Sequence, residues 1–142
     1  MPDKAVFMRE MMRVAKPGGR IILVTWCVRE LAPGEAYSAA ENKLLERLCA
    51  AYYLPQWCSI GRYQSLAAEL GLQGVRTADW SNEVRPFWRA VIDTVFSVKG
   101  ITGLLKSGMK TIRGALVMPL MQQGLRTGLI KFNLLTATKP LV

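Results

Sequence analysis

Residues 14–26 read Val14-Ala15-Lys16-Pro17-Gly18-Gly19-Arg20-Ile21-Ile22-Leu23-Val24-Thr25-Trp26, and this stretch decides the fold. A helix ends at Lys16-Pro17-Gly18-Gly19, because Pro cannot continue a helix and Gly accepts the positive φ that reverses the chain. Ile21-Ile22-Leu23-Val24 follows at once without polar alternation. Such a run predicts a strand over 20–26 buried on both faces, as in a parallel sheet covered by helices. Upstream, Met8, Met11, Met12 and Ala15 form an apolar stripe, with Arg9, Glu10, Arg13 and Lys16 on the other side. That helix starts near Pro2-Asp3, where the Asp3 carboxylate suits the positive end of the helix dipole. The fold class is therefore α/β.

Downstream the punctuation is regular. Pro33-Gly34 marks a turn in a loop over 28–35. Leu44, Leu45, Leu48 and Tyr52 recur at helical spacing and predict a helix over 36–51, which Tyr53-Leu54-Pro55-Gln56-Trp57-Cys58 breaks. Ser59 is placed to cap a helix over 60–70 that stops at Gly71. Residues 72–80 read as a strand, and Ser81 as the cap of a helix over 82–97. In 101–117, Ile101, Leu104, Leu105, Met109, Ile112 and Leu116 share a face, with Lys106, Lys110 and Arg113 on another; Pro119 limits or kinks this helix. Residues 129–138 alternate, with Ile130, Phe132 and Leu134 on one face, which favours an antiparallel strand.

Composition narrows the chemistry. The chain has 142 residues, is 51% hydrophobic and carries a net charge of +9, enough for one domain with a real core. It contains no histidine, so a histidine metal ligand, a Ser-His-Asp triad and a histidine base are all excluded within it. Cys27, Cys49 and Cys58 lack metal-site or paired spacing and read as reduced, mostly buried thiols, and no metal is expected. After Asp93 no acid occurs, whereas Lys99, Lys106, Lys110, Arg113, Arg126, Lys131 and Lys139 do. A basic final third calls for an anionic partner. Diluted by Leu, Met and Ile and without a recognition motif, these basic residues do not point to nucleic acid. No apolar run reaches the roughly 18 residues that span a bilayer.

Some segments carry a more specific signal. Val24-Thr25-Trp26-Cys27, Ala51-Tyr52-Tyr53-Leu54-Pro55-Gln56-Trp57-Cys58-Ser59, Asp79-Trp80-Ser81, Pro86-Phe87-Trp88 and Lys110–Met121 resemble the gamma-tocopherol methyltransferases of plants and algae, over essentially the whole chain. The plant indole-alkaloid N-methyltransferases share much of the pattern. The resemblance implies the C-terminal half of a Rossmann-like class I S-adenosylmethionine-dependent methyltransferase sheet, with a helical substrate cap formed by 36–58 and 82–127. It implies methyl transfer to a prenylated chromanol ring, a plastid setting, and S-adenosylmethionine as cofactor of the intact enzyme. In that fold a Gly-rich loop after the first strand cradles the cofactor and an acid after the second holds its ribose. Gly18-Gly19 precedes a strand instead, so no cofactor-binding residue carries over. The expectation is a partial domain, inactive by itself, that starts after the fourth sheet strand. Val28 also stands where the relatives are expected to carry a polar residue.

The acceptor side offers more. Trp26, Tyr52, Tyr53, Trp57, Trp80 and Trp88 are candidates to line a pocket for a flat, electron-rich ring; ordinary core packing is the competing explanation for each. Trp26 is the strongest, since ligands of open α/β sheets bind at the carboxyl ends of strands. Methylating a phenolic ring carbon requires the phenol oxygen to be polarised, for which Glu30, Glu35 and Asp79 are candidate acids and Tyr52 or Tyr53 candidate orienting groups. The same three carboxylates equally suit solvated loop positions. Residues 99–131 offer peripheral attachment to an anionic membrane. A non-catalytic membrane-surface or interaction module is the reading opposed to an enzyme.

Overall fold

The computed structural model describes residues 3–95 and 109–141. Its elements are α1 (Lys4–Val14), β1 (Arg20–Val28), α2 (Ala39–Tyr52), α3 (Ile60–Glu69), β2 (Gln73–Asp79), α4 (Ser81–Val95), α5 (Met109–Thr127) and β3 (Ile130–Thr138). They fall into two compact units. The first holds residues up to Glu30, Pro55–Trp80 and those from Lys131 on; the second holds Leu31–Leu54 and Ser81–Ile130.

The first unit is built on a three-stranded sheet in the order β1-β3-β2. β3 pairs antiparallel with β2, Thr77 opposite Leu135 and Asp79 opposite Asn133. Its far end meets the start of β1: Gly18 donates to the Lys139 carbonyl at 3.0 Å and Lys139 donates back to Gly19 at 2.9 Å. Start opposite end makes that pairing antiparallel too. The Lys-Pro-Gly-Gly turn is thereby explained. Gly18 takes φ +71, and a Cβ on Gly19 would lie 2.7 Å from the Lys16 carbonyl oxygen. As the sequence requires, Asp3 caps α1, accepting from Val6 N at 2.9 Å.

One face of this sheet is packed. Ile21, Leu23 and Cys27 of β1 and Leu135 and Ala137 of β3 join Met8 of α1 and Tyr63, Leu66 and Ala67 of α3 in a single buried cluster. The other face departs from the expectation of a strand buried on both sides. Ile22 and Val24 are 56% and 47% exposed, because among the described residues the helices of this unit cover one face only. β3 alternates and is antiparallel as the sequence predicts. Asn133, Leu135 and Ala137 face the helices, while Phe132 and Leu134 are half-buried on the opposite face. Ile130 precedes this alternation and is fully buried.

The second unit is helical, with α5 packed against both α2 and α4. α2 begins at Ala39 rather than at 36, because Ser38 and Glu41 form a capping box. Glu41 N donates to Ser38 Oγ at 3.2 Å and Ser38 N to Glu41 Oε2 at 2.8 Å. Leu44 and Leu48 are its buried positions. α5 runs on past Pro119 to Thr127. Gly124 sits where Ile130 leaves no room for a Cβ. Arg85 of α4 donates to the Leu125 carbonyl at 3.3 Å, tying α4 to the end of α5. The apolar stripe and basic row read over 101–117 lie outside the described residues, apart from the backbone of α5 from Met109.

Leu135 is fully buried in the strand that both neighbours pair with. Leu135→Ala should lower unfolding stability by about 2–5 kcal/mol. Urea unfolding followed by circular dichroism measures this, with the midpoint moving and the slope unchanged.

Candidate functional site

The antiparallel pairing of β1 with β3 brings the carboxyl end of β1 beside the start of β3. There the Trp26 ring packs on Phe132, centroids 4.6 Å apart and planes tilted by 54°, within the range where aromatic pairs attract. Trp80 follows β2 and donates its amide to the Phe132 carbonyl at 2.7 Å, so it closes the same end of the sheet. Trp57 is half-buried in the stretch that re-enters this unit, where Cys58 accepts from Val28 N at 3.2 Å. Of the six aromatics proposed from sequence, Trp26, Trp57 and Trp80 thus lie in the first unit, on backbone that meets at the carboxyl end of β1. Phe132 stands with them. Sequence reasoning placed Phe132 on a strand face and missed it as a site residue. The signal was its position at the first turns of a strand whose partner ends in Trp26.

The other three lie in the second unit. Tyr53 ends α2 in the left-handed conformation at φ 54 and is 86% exposed. Tyr52 is half-buried, and burial pushes its phenol up from the ordinary range. Trp88 of α4 meets Phe87 edge to face at 6.0 Å, and Phe87 itself is 62% exposed.

The candidate acids are each engaged. Glu30 accepts from Ser59 Oγ at 2.8 Å and from Gly61 N at 3.2 Å. Glu35 accepts from Ala32 N at 2.8 Å and so closes its own turn. Asp79 pairs with Lys131 at 3.1 Å. Each of the three is thus held by a named partner, and Asp79 stands beside the aromatic end of the sheet. Among the described residues no three Cys, Asp or Glu side chains gather as a metal would need.

Behind the aromatic end lies a buried polar cluster. Cys27 is fully buried, and burial pushes its thiol up to about 12, with its Asn133 hydrogen bond working the other way. Tyr63, 6% exposed, is pushed up to about 12 by burial, its bond with Thr25 opposing. Cys58 is shifted upward for the same reason. For all three, burial favours the neutral form. The Gly18-Gly19 turn lies at the amino end of β1, and its backbone is occupied by Lys139.

No family model matches the chain. Across 141 residues, 99% of its length, it is 56% identical to the Oryza sativa subsp. japonica protein named "Probable tocopherol O-methyltransferase, chloroplastic". It is 53% identical over 142 residues to the Arabidopsis thaliana tocopherol O-methyltransferase, also chloroplastic, and 34% identical to the Rauvolfia serpentina ajmaline N-methyltransferase. The chain spans 39% and 41% of the first two relatives' own lengths. Along the stretch they share, it is a homologue of the tocopherol O-methyltransferases. Among solved structures it superimposes on the Haemonchus contortus phosphoethanolamine N-methyltransferase 2 with a TM-score of 0.75, at 16% identity, covering 99% of this chain and 30% of that one. It matches the Streptomyces coelicolor geranyl diphosphate C-methyltransferase with a TM-score of 0.67, at 16% identity, covering 95% and 42%. The architecture is therefore part of the class I methyltransferase fold.

The buried thiol and phenol give a pH test. Both are raised above their ordinary values of 9.0 and 10.0, so the folded state favours their neutral forms. That stability is complete below about pH 9 and is lost as pH rises towards 12. The urea midpoint should be level from neutrality to about pH 9 and then fall, and the fall should be shallower in Tyr63→Phe.

Proposed function

We propose that this chain is the acceptor side of an S-adenosylmethionine-dependent methyltransferase acting on a prenylated chromanol ring, as part of a longer enzyme. The observation that carries the reading is the identity of 53–56% to tocopherol O-methyltransferases over nearly the whole chain. The share of those relatives it spans supports the view that further chain completes the sheet, covering the open β1 edge together with Ile22 and Val24. The more distant alkaloid N-methyltransferase supports the same fold but a different acceptor.

The bound cofactor supplies an electrophilic methyl group. The work of this chain is to bind, orient and dry the acceptor. Trp26 and Phe132 form an aromatic wall for the ring, with Trp57 and Trp80 beside it. Tyr52 and Tyr53 at the end of α2 and Trp88 of α4, within 36–58 and 82–127, act as the cap. Excluding water and fixing the ring carbon on the line of attack lowers the barrier without a protein nucleophile. Residues 99–131 hold the enzyme on anionic membrane, where a lipid-tailed substrate is dissolved. A plastid location follows from the chloroplastic names of the relatives.

The test is a chimera joining this chain to the remainder of the Arabidopsis relative. It should transfer labelled methyl from S-adenosylmethionine to γ-tocopherol and leave an ajmaline-type amine unlabelled; the opposite preference overturns the acceptor assignment. In that chimera Trp26→Ala should lower kcat/KM for the acceptor by roughly five- to tenfold, the worth of one aromatic contact of about 1 kcal/mol. Cofactor affinity should be unchanged.

Membrane attachment is tested separately. Each basic group near an anionic surface contributes about 1 kcal/mol, so replacing Lys106, Lys110 and Arg113 by Gln should weaken vesicle binding by about 3 kcal/mol at most. Added salt should release the wild-type protein. Equal sedimentation with anionic and neutral vesicles would remove this part of the reading.

A further inference from the structure

The segment 31–54 leaves the first unit just after Glu30 and returns at Pro55. Its two ends are held together where they leave and re-enter. Val28 N donates to the Cys58 carbonyl at 3.2 Å, and Lys4 Nζ, from α1, reaches the Gln56 carbonyl at 2.6 Å. Between them stands Glu30. One carboxylate oxygen accepts from Ser59 Oγ at 2.8 Å, the other from Gly61 N at 3.2 Å.

Three details make this a built contact. Ser59 occupies the N-cap position of α3 yet makes no side-chain cap bond of its own; its hydroxyl donates to Glu30 instead. Glu30 then takes over the capping, because its other oxygen accepts the free amide of Gly61 in the first turn, where a negative charge is favoured. Finally, Gly61 leaves the space for it. A Cβ there would lie 2.5 Å from Glu30 Oε1. A glycine early in a helix is otherwise disfavoured relative to alanine.

We propose that Glu30 is a positioning residue: a carboxylate clamp that fixes the neck of the 31–54 segment on α3, and with it the base of α2, which carries Tyr52. Glu30 is an exposed carboxylate, and what sets it apart is the pair of bonds that tie it to the start of α3. The relevance to acceptor binding rests on the function proposed above; the clamp itself does not, and its test needs no methyl transfer.

The test is hydrogen exchange by mass spectrometry and thermal melting on the full 142-residue chain. Glu30→Ala should speed exchange through residues 31–52 by roughly tenfold or more, the cost of about one lost charged cap, while β3 amides keep their wild-type rates. Gly61→Ala supplies a second route, since the added methyl displaces the Glu30 carboxylate. It should loosen 31–52 in the same way despite better helix propensity. In the Glu30→Ala background, Gly61→Ala should cause no further loosening and should raise the melting temperature. A general loss of stability would instead speed β3 along with the rest. Unchanged exchange over 31–52 in both single variants overturns the proposal, as does loosening by Gly61→Ala that persists without Glu30.

Discussion

The first unit depends on one pairing constraint: the last strand of the chain lies between the other two. β3 is bonded to β2 along one edge and meets β1 along the other, so each outer strand reaches the sheet only through it. Both pairings run antiparallel, and this sets the site. Direction reversal puts the first residues of β3 beside the last residues of β1, so Phe132 meets Trp26. A parallel β3 would have placed Lys139 there instead. The same geometry commits Leu135 and Ala137 to the helix-covered face, where their burial with Met8 and Leu66 is the main apolar stabilisation of the unit.

The site follows from sheet ends. Aromatic rings gather where strands stop and side chains no longer compete for sheet surface, and polar groups there are tied to the backbone or to each other. Glu30 is held by α3 and Asp79 by Lys131. Beneath, burial raises the Cys27 thiol and the Tyr63 phenol and favours their neutral forms. What remains for chemistry is an apolar, aromatic surface with few reactive groups. This suits a reaction whose electrophile comes with a cofactor and whose acceptor ring needs orientation more than activation.

Much of this was legible in the residues. Pro17-Gly18-Gly19 announced the turn into β1, Asp3 the start of α1, and Gly71 the end of α3, because each acts through local backbone chemistry. The place of Trp26 at the carboxyl end of β1 was legible from the apolar run before it. Two-sided burial of β1 was not, since Ile22 and Val24 carry no mark of which neighbours cover them. Which face of β3 is covered was not legible, because Phe132 and Leu134 are as apolar as Leu135 and Ala137; only the helices decide it. Glu30 was read as a candidate acid or a solvated charge. Its partners, Ser59 and Gly61, lie some thirty residues away, and no spacing rule connects them.

The central claim is that the carboxyl end of β1 holds the acceptor ring. Photo-crosslinking tests it most directly. A γ-tocopherol analogue carrying a photoreactive group on its chromanol ring would be irradiated with the enzyme containing this chain, and the adducts mapped by mass spectrometry. The account predicts adducts on the peptides bearing Trp26 and Phe132, suppressed by excess γ-tocopherol. Competed adducts that fall wholly elsewhere, with none on either peptide, would contradict it.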